Sequence, residues 1–290
     1  MSTRIPTETE LVEILTPLAP HGVQWFPGHM AKAQRELNAK LRLVNTVVEV
    51  VDARMPRSSR HPHLATWIGQ KQHVIALTKI DLADAADTRA WKKQLQRSGP
   101  TVIGVDAVKG QGIKALLAAI GKNKTARVLV AGVPNSGKSS LINRACGRSA
   151  ARVGATPGIT RRQQWLRADA NIEFLDTPGL LWPKIENLLQ ALKLAWLASI
   201  GEKAYDTYQA AATLAVWLYY THPLVLKERY GITDAAPEAA ALLNAIGRRR
   251  GCIVAGGEVN LEQAAQVLLH DLRTGRLGRI TLDKPEDPGV

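Results

Sequence analysis

Apolar positions in the first 183 residues gather into short strand-like runs: TVVEVVD at 46–52, HVIALT at 73–78, TVIGV at 101–105, RVLVAG at 127–132 and NIEFLD at 171–176. Each is rich in β-branched residues and reads as a buried strand ending in a loop. Between them lie segments with helical spacing, AKAQRELNAKLRLV (31–44), TRAWKKQLQRSG (88–99) and IKALLAAIGK (113–122). Strands separated by helices predict βαβ units and a parallel sheet, with QQWLRAD (163–169) as an added edge strand. After residue 184 the pattern changes. Apolar residues recur at three-and-four spacing through IENLLQALKLAWLASIG, KAYDTYQAAATLAVWLYYTH, PEAAALLNAIGRRRG and LEQAAQVLLHDLRTGR, which predicts an all-helical domain. GRRR (247–250) and the Gly-rich 251–260 read as a loop between helices. The predicted organisation is an N-terminal extension (1–23), an α/β domain (24–184) and an all-α C-terminal domain (185–290) with a polar, Asp- and Pro-rich tail.

Composition narrows the setting. With 290 residues and 46% hydrophobic content, the chain can bury one large or two modest cores and is not disordered by composition. No apolar run approaches the ~20 residues of a membrane span; AATLAVWLYY (211–220) reaches half that. The opening MSTRIPTETELVEIL carries three glutamates and no apolar core, so neither a signal nor a transit peptide is expected. Cys146 and Cys252 are unpatterned thiols, consistent with a cytoplasmic, reducing compartment. The net charge of +13 is uneven: residues 1–183 hold 26 Lys and Arg against 13 Asp and Glu, and residues 184–290 hold 12 against 12. A basic domain of this kind predicts a polyanionic partner, nucleic acid first. The three arginines at 248–250 read as a solvated turn, with RNA phosphate contact as the functional alternative.

The chemistry lies in the loops after the strands. Gly132-x4-Gly137-Lys138-Ser139 follows a strand and opens a helical segment, the context a phosphate loop requires. Its residues Asn135, Ser136, Gly137, Lys138, Ser139 and Ser140 would present backbone N–H groups to phosphate oxygens. Lys138 would reach the β- and γ-phosphates, and Ser139 would ligate Mg2+. DTPG at 176–179 follows another strand, so Asp176 can act on Mg2+ and the Gly179 N–H can sense the γ-phosphate. Between them, GATPGITRR (154–162) has the composition of a switch, with Thr160 as the candidate Mg2+ hydroxyl and Thr156 as its rival. TKID (78–81) fits guanine reading: Asp81 would accept from N1–H and the 2-amino group, the Lys79 stem would cover the base, and Thr78 would hold the loop. In VDAVKGQG (105–112), the Ala107 N–H would face the guanine oxygen.

These elements stand in an unusual order, with the base reader some fifty residues before the phosphate loop. A GTPase sheet that has been cut and rejoined at another loop would keep the site, because the site depends on spatial adjacency. The chain would then leave the nucleotide domain directly after DTPG and enter the helical domain, a short path from nucleotide state to domain orientation.

The phrases WFPGHMAKA (25–33), VVDARMPRSSRHP (50–62), TKIDLA, GVPNSGKSSLINR, GATPGITRRQQW and LDTPGLLWPK, in this order, resemble the circularly permuted GTPases of the YlqF/RbgA ribosome-biogenesis family. The match covers roughly residues 24–184; the helical part is similar only in size and character. The resemblance implies a permuted P-loop GTPase domain and a GTPase acting late in large-subunit maturation. Thr78 stands where Asn is usual, which predicts weakened rather than lost base selectivity, and Asp106 stands where Ser or Asn is commoner. Leu180 occupies the position of the water-orienting Gln that follows D-x-x-G in Ras-like enzymes. The resemblance implies His29, of the F-P-G-H-M phrase, as the stand-in. It also makes Asn135 a K+ holder, with a simple turn cap as the alternative. His61 and His63 read as loop residues rather than metal ligands.

The expected protein is therefore a monomeric cytoplasmic enzyme that converts GTP to GDP and phosphate, with Mg2+ and a K+ option. It would be slow alone and stimulated by the ribosomal particle, bound to pre-ribosomal RNA and released on hydrolysis, with no membrane partner. The alternatives are an RNA-binding or RNA-modification GTPase not specific to ribosomes, and a P-loop ATPase or kinase.

Overall fold

The structure, a computed structural model, describes residues 4–19, 37–121, 125–147, 164–176, 185, 187–233 and 237–285. The chain divides into two compact units. A sheet unit combines residues 26–184 with 279–290, and a helical unit combines residues 1–25 with 185–278.

In the sheet unit, β1 (Thr46–Asp52), β2 (Gln72–Thr78), β3 (Thr101–Val105), β4 (Ala126–Ala131), β5 (Gln164–Asp169) and β6 (Ile172–Asp176) form one sheet in the order β3-β2-β1-β4-β6-β5. All neighbours are parallel except β5, an antiparallel edge on β6. Every predicted strand is present. The apolar runs do not alternate with polar residues because both faces are covered. On one face Val48, Val50, Val74, Val128, Val130 and Phe174 pack with α4 (Ile113–Ile120) and α5 (Lys138–Cys146). On the other, Val47, Leu129 and Leu175 meet Leu37, Leu41 and Leu64, and Ile75 and Leu77 meet Trp91 and Leu95 of α3 (Ala85–Gln96). A short α2, Leu64–Ile68, was not expected from the sequence.

The helical unit holds α6 (Leu188–Trp196), α7 (Thr207–Thr221), α8 (Pro223–Tyr230), α9 (Ala239–Arg250) and α10 (Leu261–Arg273). Residues 210–218 of α7 are all buried, so α7 is the central helix of this unit. α6, α7 and α10 start alike. Asn187, Asp206 and Asn260 each accept the backbone N–H of a glutamine three residues on, at 2.9, 2.7 and 3.0 Å, satisfying an otherwise orphaned donor. α8 escaped the sequence reading because His222 and Pro223 look like a break; proline instead occupies the first helical position, where it is tolerated. A further helix, α1 (Glu8–Leu15), lies in the predicted extension and carries a Thr7–Glu10 capping box. It belongs to the helical unit, where Glu8 lies 3.5 Å from the buried ammonium of Lys193.

Two sequence expectations are corrected. GRRR is the last turn of α9, not a loop; the helix stops at Gly251, whose φ of 72° supplies the left-handed cap. The tail does not stay with the helical domain: residues 279–285 return to the sheet unit, where Ile280, Thr281, Leu282 and Asp283 are buried.

Candidate nucleotide site

The C-terminal ends of β1, β2, β3 and β4 lie side by side because those strands run parallel. The loops that follow them therefore share one edge, whatever their order in the chain. The loop after β4 closes tightly. A Cβ on Gly132 would lie 2.4 Å from the Val50 carbonyl oxygen, so only glycine fits this approach. Asn135 has φ 58° and Gly137 φ 97°, the left-handed turns that aim successive N–H groups inward. Gly137 is the N-cap of α5 and offers no capping side chain. The first turn of α5, including half-buried Ser139 and Ser140, thus begins without a side-chain cap, as an anion site requires. Lys138 is buried, its ammonium donating to the Gly132 and Val133 carbonyls at 3.1 and 2.8 Å. Ser136 is wholly buried, and its Oγ has no hydrogen-bond partner among the described residues.

The turn after β2 braces this cradle. Thr78 Oγ1 donates to the Ser136 carbonyl at 2.6 Å, and the Lys79 ammonium donates to the Asn135 carbonyl and to Asp52 Oδ2. Thr78, standing where Asn is usual, keeps this contact to the loop through its hydroxyl. Lys79 pays for its place with a φ of 56°, a left-handed conformation costing about 1–2 kcal/mol in a residue with a Cβ. Its ammonium is lowered from its ordinary value by burial, against which the Asp52 carboxylate works. Burial alone would raise the Asp52 carboxyl, but the Arg54 guanidinium, 2.9–3.0 Å away on both oxygens, and then Lys79 hold it far below the usual range. Half-buried Asp81 follows two residues after Lys79. In the loop after β3, Asp106 Oδ1 accepts the Val108 and Lys109 N–H groups at 2.9 and 3.0 Å, a turn-capping role open to the commoner Ser or Asn. Ala107 beside it is partly buried against the core.

The structure thus brings Thr78, Lys79, Asn135, Ser136, Gly137 and Lys138 together, with Asp81 and Ala107 in the flanking turns. His29, Thr156, Thr160, Gly179 and Leu180 lie outside the described residues, as does the side chain of Asp176. The donor chemistry still suits Mg2+, since Ser139 supplies a hard oxygen at the start of α5. Asp176 ends β6, the parallel neighbour of β4, at the same edge of the sheet. His61 and His63 stack with Trp67, at ring separations of 4.7 and 6.0 Å, and no three metal-ligating side chains converge among the described residues. The sequence reading missed Asp52 and Arg54 as parts of the site. Their signal was present in D-A-R directly after a buried strand, but only the fold shows that Asp52 reaches Lys79.

Comparison with known proteins bears on the fold and the family. The family described as 50S ribosome-binding GTPase matches residues 127–245. The match begins in β4, the strand that leads into the phosphate loop and with which an unpermuted GTPase would begin. A crystal structure of GNP-bound YlqF from Thermotoga maritima superposes with a TM-score of 0.67 at 30% identity, covering 88% of this chain and 99% of that one. The mitochondrial ribosome-associated GTPase 1 of Xenopus tropicalis is 35% identical, over 89% of this chain and 94% of its own. The ribosome biogenesis GTPase A of Bacillus licheniformis is 39% identical over 280 residues, 91% of this chain and 99% of its own. With near full-length identity of that order, this chain belongs to the ribosome biogenesis GTPase A (YlqF/RbgA) family.

Proposed function

We propose that this chain is a GTPase of large-subunit assembly that binds pre-ribosomal RNA through its sheet unit and leaves the particle on GTP hydrolysis. The observation that carries the reading is the brace from Thr78 and Lys79 to the carbonyls of Ser136 and Asn135, which couples a base-reading turn to a phosphate cradle. Asp81 accepts from guanine N1–H and the 2-amino group, and the Ala107 N–H meets the guanine oxygen. Backbone N–H groups from Asn135 to Ser140 and the Lys138 ammonium hold the phosphates. Mg2+, held by Ser139 with Thr160 and Asp176, would neutralise charge on the β- and γ-phosphates, and the Gly179 N–H senses the γ-phosphate. Asn135 holds K+ or caps its turn.

Leu180 cannot orient water, so hydrolysis is slow in the free protein, and His29 positions the water on the particle. Supplying one missing group in this way raises GTPase rates by about 10³–10⁵. The sheet unit carries 28 Lys and Arg against 13 Asp and Glu, whereas the helical unit has 10 against 12. Phosphate contacts from the sheet unit therefore dominate RNA affinity and make it salt-dependent. The protein acts as a cytoplasmic monomer; no helix among the described residues is long and apolar enough to cross a membrane.

Cosedimentation with large-subunit precursors in the GTP-like and GDP states, across a salt series, tests the reading. Retention with GTP, loss with GDP and a steep salt slope are expected. Equal binding in both states would remove the release step, and equal affinity for ATP and GTP would return the ATPase or kinase alternative. His29→Ala should abolish particle stimulation while GTP affinity stays constant; full stimulation of that variant would pass the water to K+ at Asn135 or to RNA.

A further inference from the structure

The segment after α10 has no regular secondary structure, yet Ile280, Thr281, Leu282 and Asp283 are each at most 3% exposed. Buried irregular backbone is stable only when its polar groups find partners, and here they come from the loops after β1 and β2 and from Trp91 of α3. Ile280 N–H donates to the Leu82 carbonyl at 3.1 Å, and the Asp84 N–H donates to Thr281 Oγ1 at 3.1 Å. Leu282 N–H donates to the Arg54 carbonyl at 2.6 Å. The buried Asp283 carboxylate accepts both the N–H and the hydroxyl of Ser58, at 2.7 and 2.8 Å, while its carbonyl accepts the Trp91 indole N–H at 2.9 Å. Arg279 donates Nε to the Ala83 carbonyl and a terminal nitrogen to the Ile80 carbonyl, both at 2.8 Å.

The tail thus holds the carbonyls of residues 80, 82 and 83 and the N–H of residue 84. Asp81 is enclosed by these fixed points. The same four-residue run also ties down the loop from Arg54 to Ser58, which carries the guanidinium that pairs with Asp52 and, through it, sets the Lys79 ammonium.

We propose that residues 279–283 are a positioning strap for base recognition, and that Arg279 is its specificity-determining residue. The strap fixes the turn on which Asp81 sits, so that both carboxylate oxygens meet the guanine edge together. This inference rests on the reading of Asp81 as the guanine acceptor. A strap that only covered the sheet edge would stabilise the fold and leave base preference untouched. A strap that aims Asp81 acts on the second hydrogen bond, the one to the 2-amino group, because a bidentate contact is more sensitive to angle than a single one.

The experiment compares GDP, IDP (which lacks the 2-amino group) and ADP binding to the full-length protein, Arg279→Ala, Arg279→Lys and Asp283→Asn. The wild type should prefer GDP to both. Arg279→Ala should weaken GDP about tenfold, the scale of one charged hydrogen bond, and IDP far less, so that the GDP-to-IDP ratio collapses. Arg279→Lys should recover part of the ratio by restoring a donor to the two carbonyls. Asp283→Asn should lower the ratio in the same direction; a fall in its thermal midpoint alone, with the ratio kept, counts against the strap. If the wild type prefers GDP over IDP and ADP but Arg279→Ala keeps that ratio, or loses both nucleotides equally, the strap is overturned and the base reading stands. If the wild type itself does not distinguish GDP from ADP, the reading of Asp81 fails and the strap falls with it.

Discussion

Three helices of the helical unit and two of the sheet unit begin in opposite ways, although α3 of the sheet unit is capped by Asp84 and α8 and α9 of the helical unit by no side chain. In the helical unit, α6, α7 and α10 start on Asn187, Asp206 and Asn260, whose side chains close the first turn. In the sheet unit, α4 and α5 start on Gly112 and Gly137, both left-handed and both without a capping side chain. A side-chain cap satisfies a helix end for stability; an uncapped glycine start leaves N–H groups for a ligand. Strain is not confined to one unit: among the described residues, Lys79 and Asn135 hold left-handed φ at the candidate nucleotide edge, where strain tends to be stored for function, and Ala198 holds one in the helical unit. The buried ions differ. Lys79, Asp52 and Arg54 converge at that edge, whereas Asp271 in the helical unit joins α10 to α8 through Arg229 and Tyr230, at 2.8 and 3.1 Å. The sheet unit also buries a structural ion, Glu49, which pairs with Arg60 and His73 at 3.1 and 3.0 Å, so only the group around Asp52 is a candidate for ligand duty.

If that division holds, the largest effect comes from Lys138→Ala. It removes the cation over two phosphates and should weaken GTP about 10³-fold, with a native circular dichroism spectrum and denaturation midpoint. Unchanged affinity, measured by titration, would show that 132–140 is no cradle. Asp81→Asn should come next, weakening GTP about 10²-fold and favouring xanthine nucleotides, whose altered edge suits an amide. Competition binding reads both shifts, and a uniform loss across all bases would mean that the turn, rather than the reader, had been damaged.

Asn260→Ala sharpens the comparison from the other side. Losing that cap should cost about 1 kcal/mol of stability while GTP affinity stays within error. A matching loss of affinity would show that helical-unit caps also serve the site.

The smallest effect concerns pH. His61 is pushed down from its ordinary 6.5 to about 4, by burial first and then by neighbouring His63. The folded protein therefore binds fewer protons than the unfolded chain between these values. The stability His61 contributes is complete above pH 6.5 and is lost as pH falls toward 4. Urea midpoints at pH 7.5 and 5 should converge in His61→Asn relative to wild type. An equal pH difference in both would assign the proton uptake elsewhere.

Much of this was legible beforehand because it is local. A β-branched run such as TVVEVVD, buried throughout, reads as a central strand in an α/β chain, and Gly132 and Gly137 mark the close approach and the left-handed turn that the structure shows. α8 was hidden because proline punctuates in some settings and initiates in others. α1 was hidden because Leu11 and Leu15 are too few to show periodicity; both are buried, at 4% and 0% exposure. The GRRR turn was misread because arginines look like a solvated loop, although the last turn of a helix accepts cations for its dipole.

The sequence by itself determined the strands, the order of the nucleotide elements and hence the permutation, since these depend on residue type and local spacing. Only the tertiary structure decided which distant groups meet. Asp52 and Lys79 lie 27 residues apart, and Ser58 and Asp283 lie 225 apart. Nothing in the spacing of such residues encodes their contact. It arises from parallel strands that deliver their loops to one edge, and from a buried tail whose backbone had to find hydrogen-bond partners there.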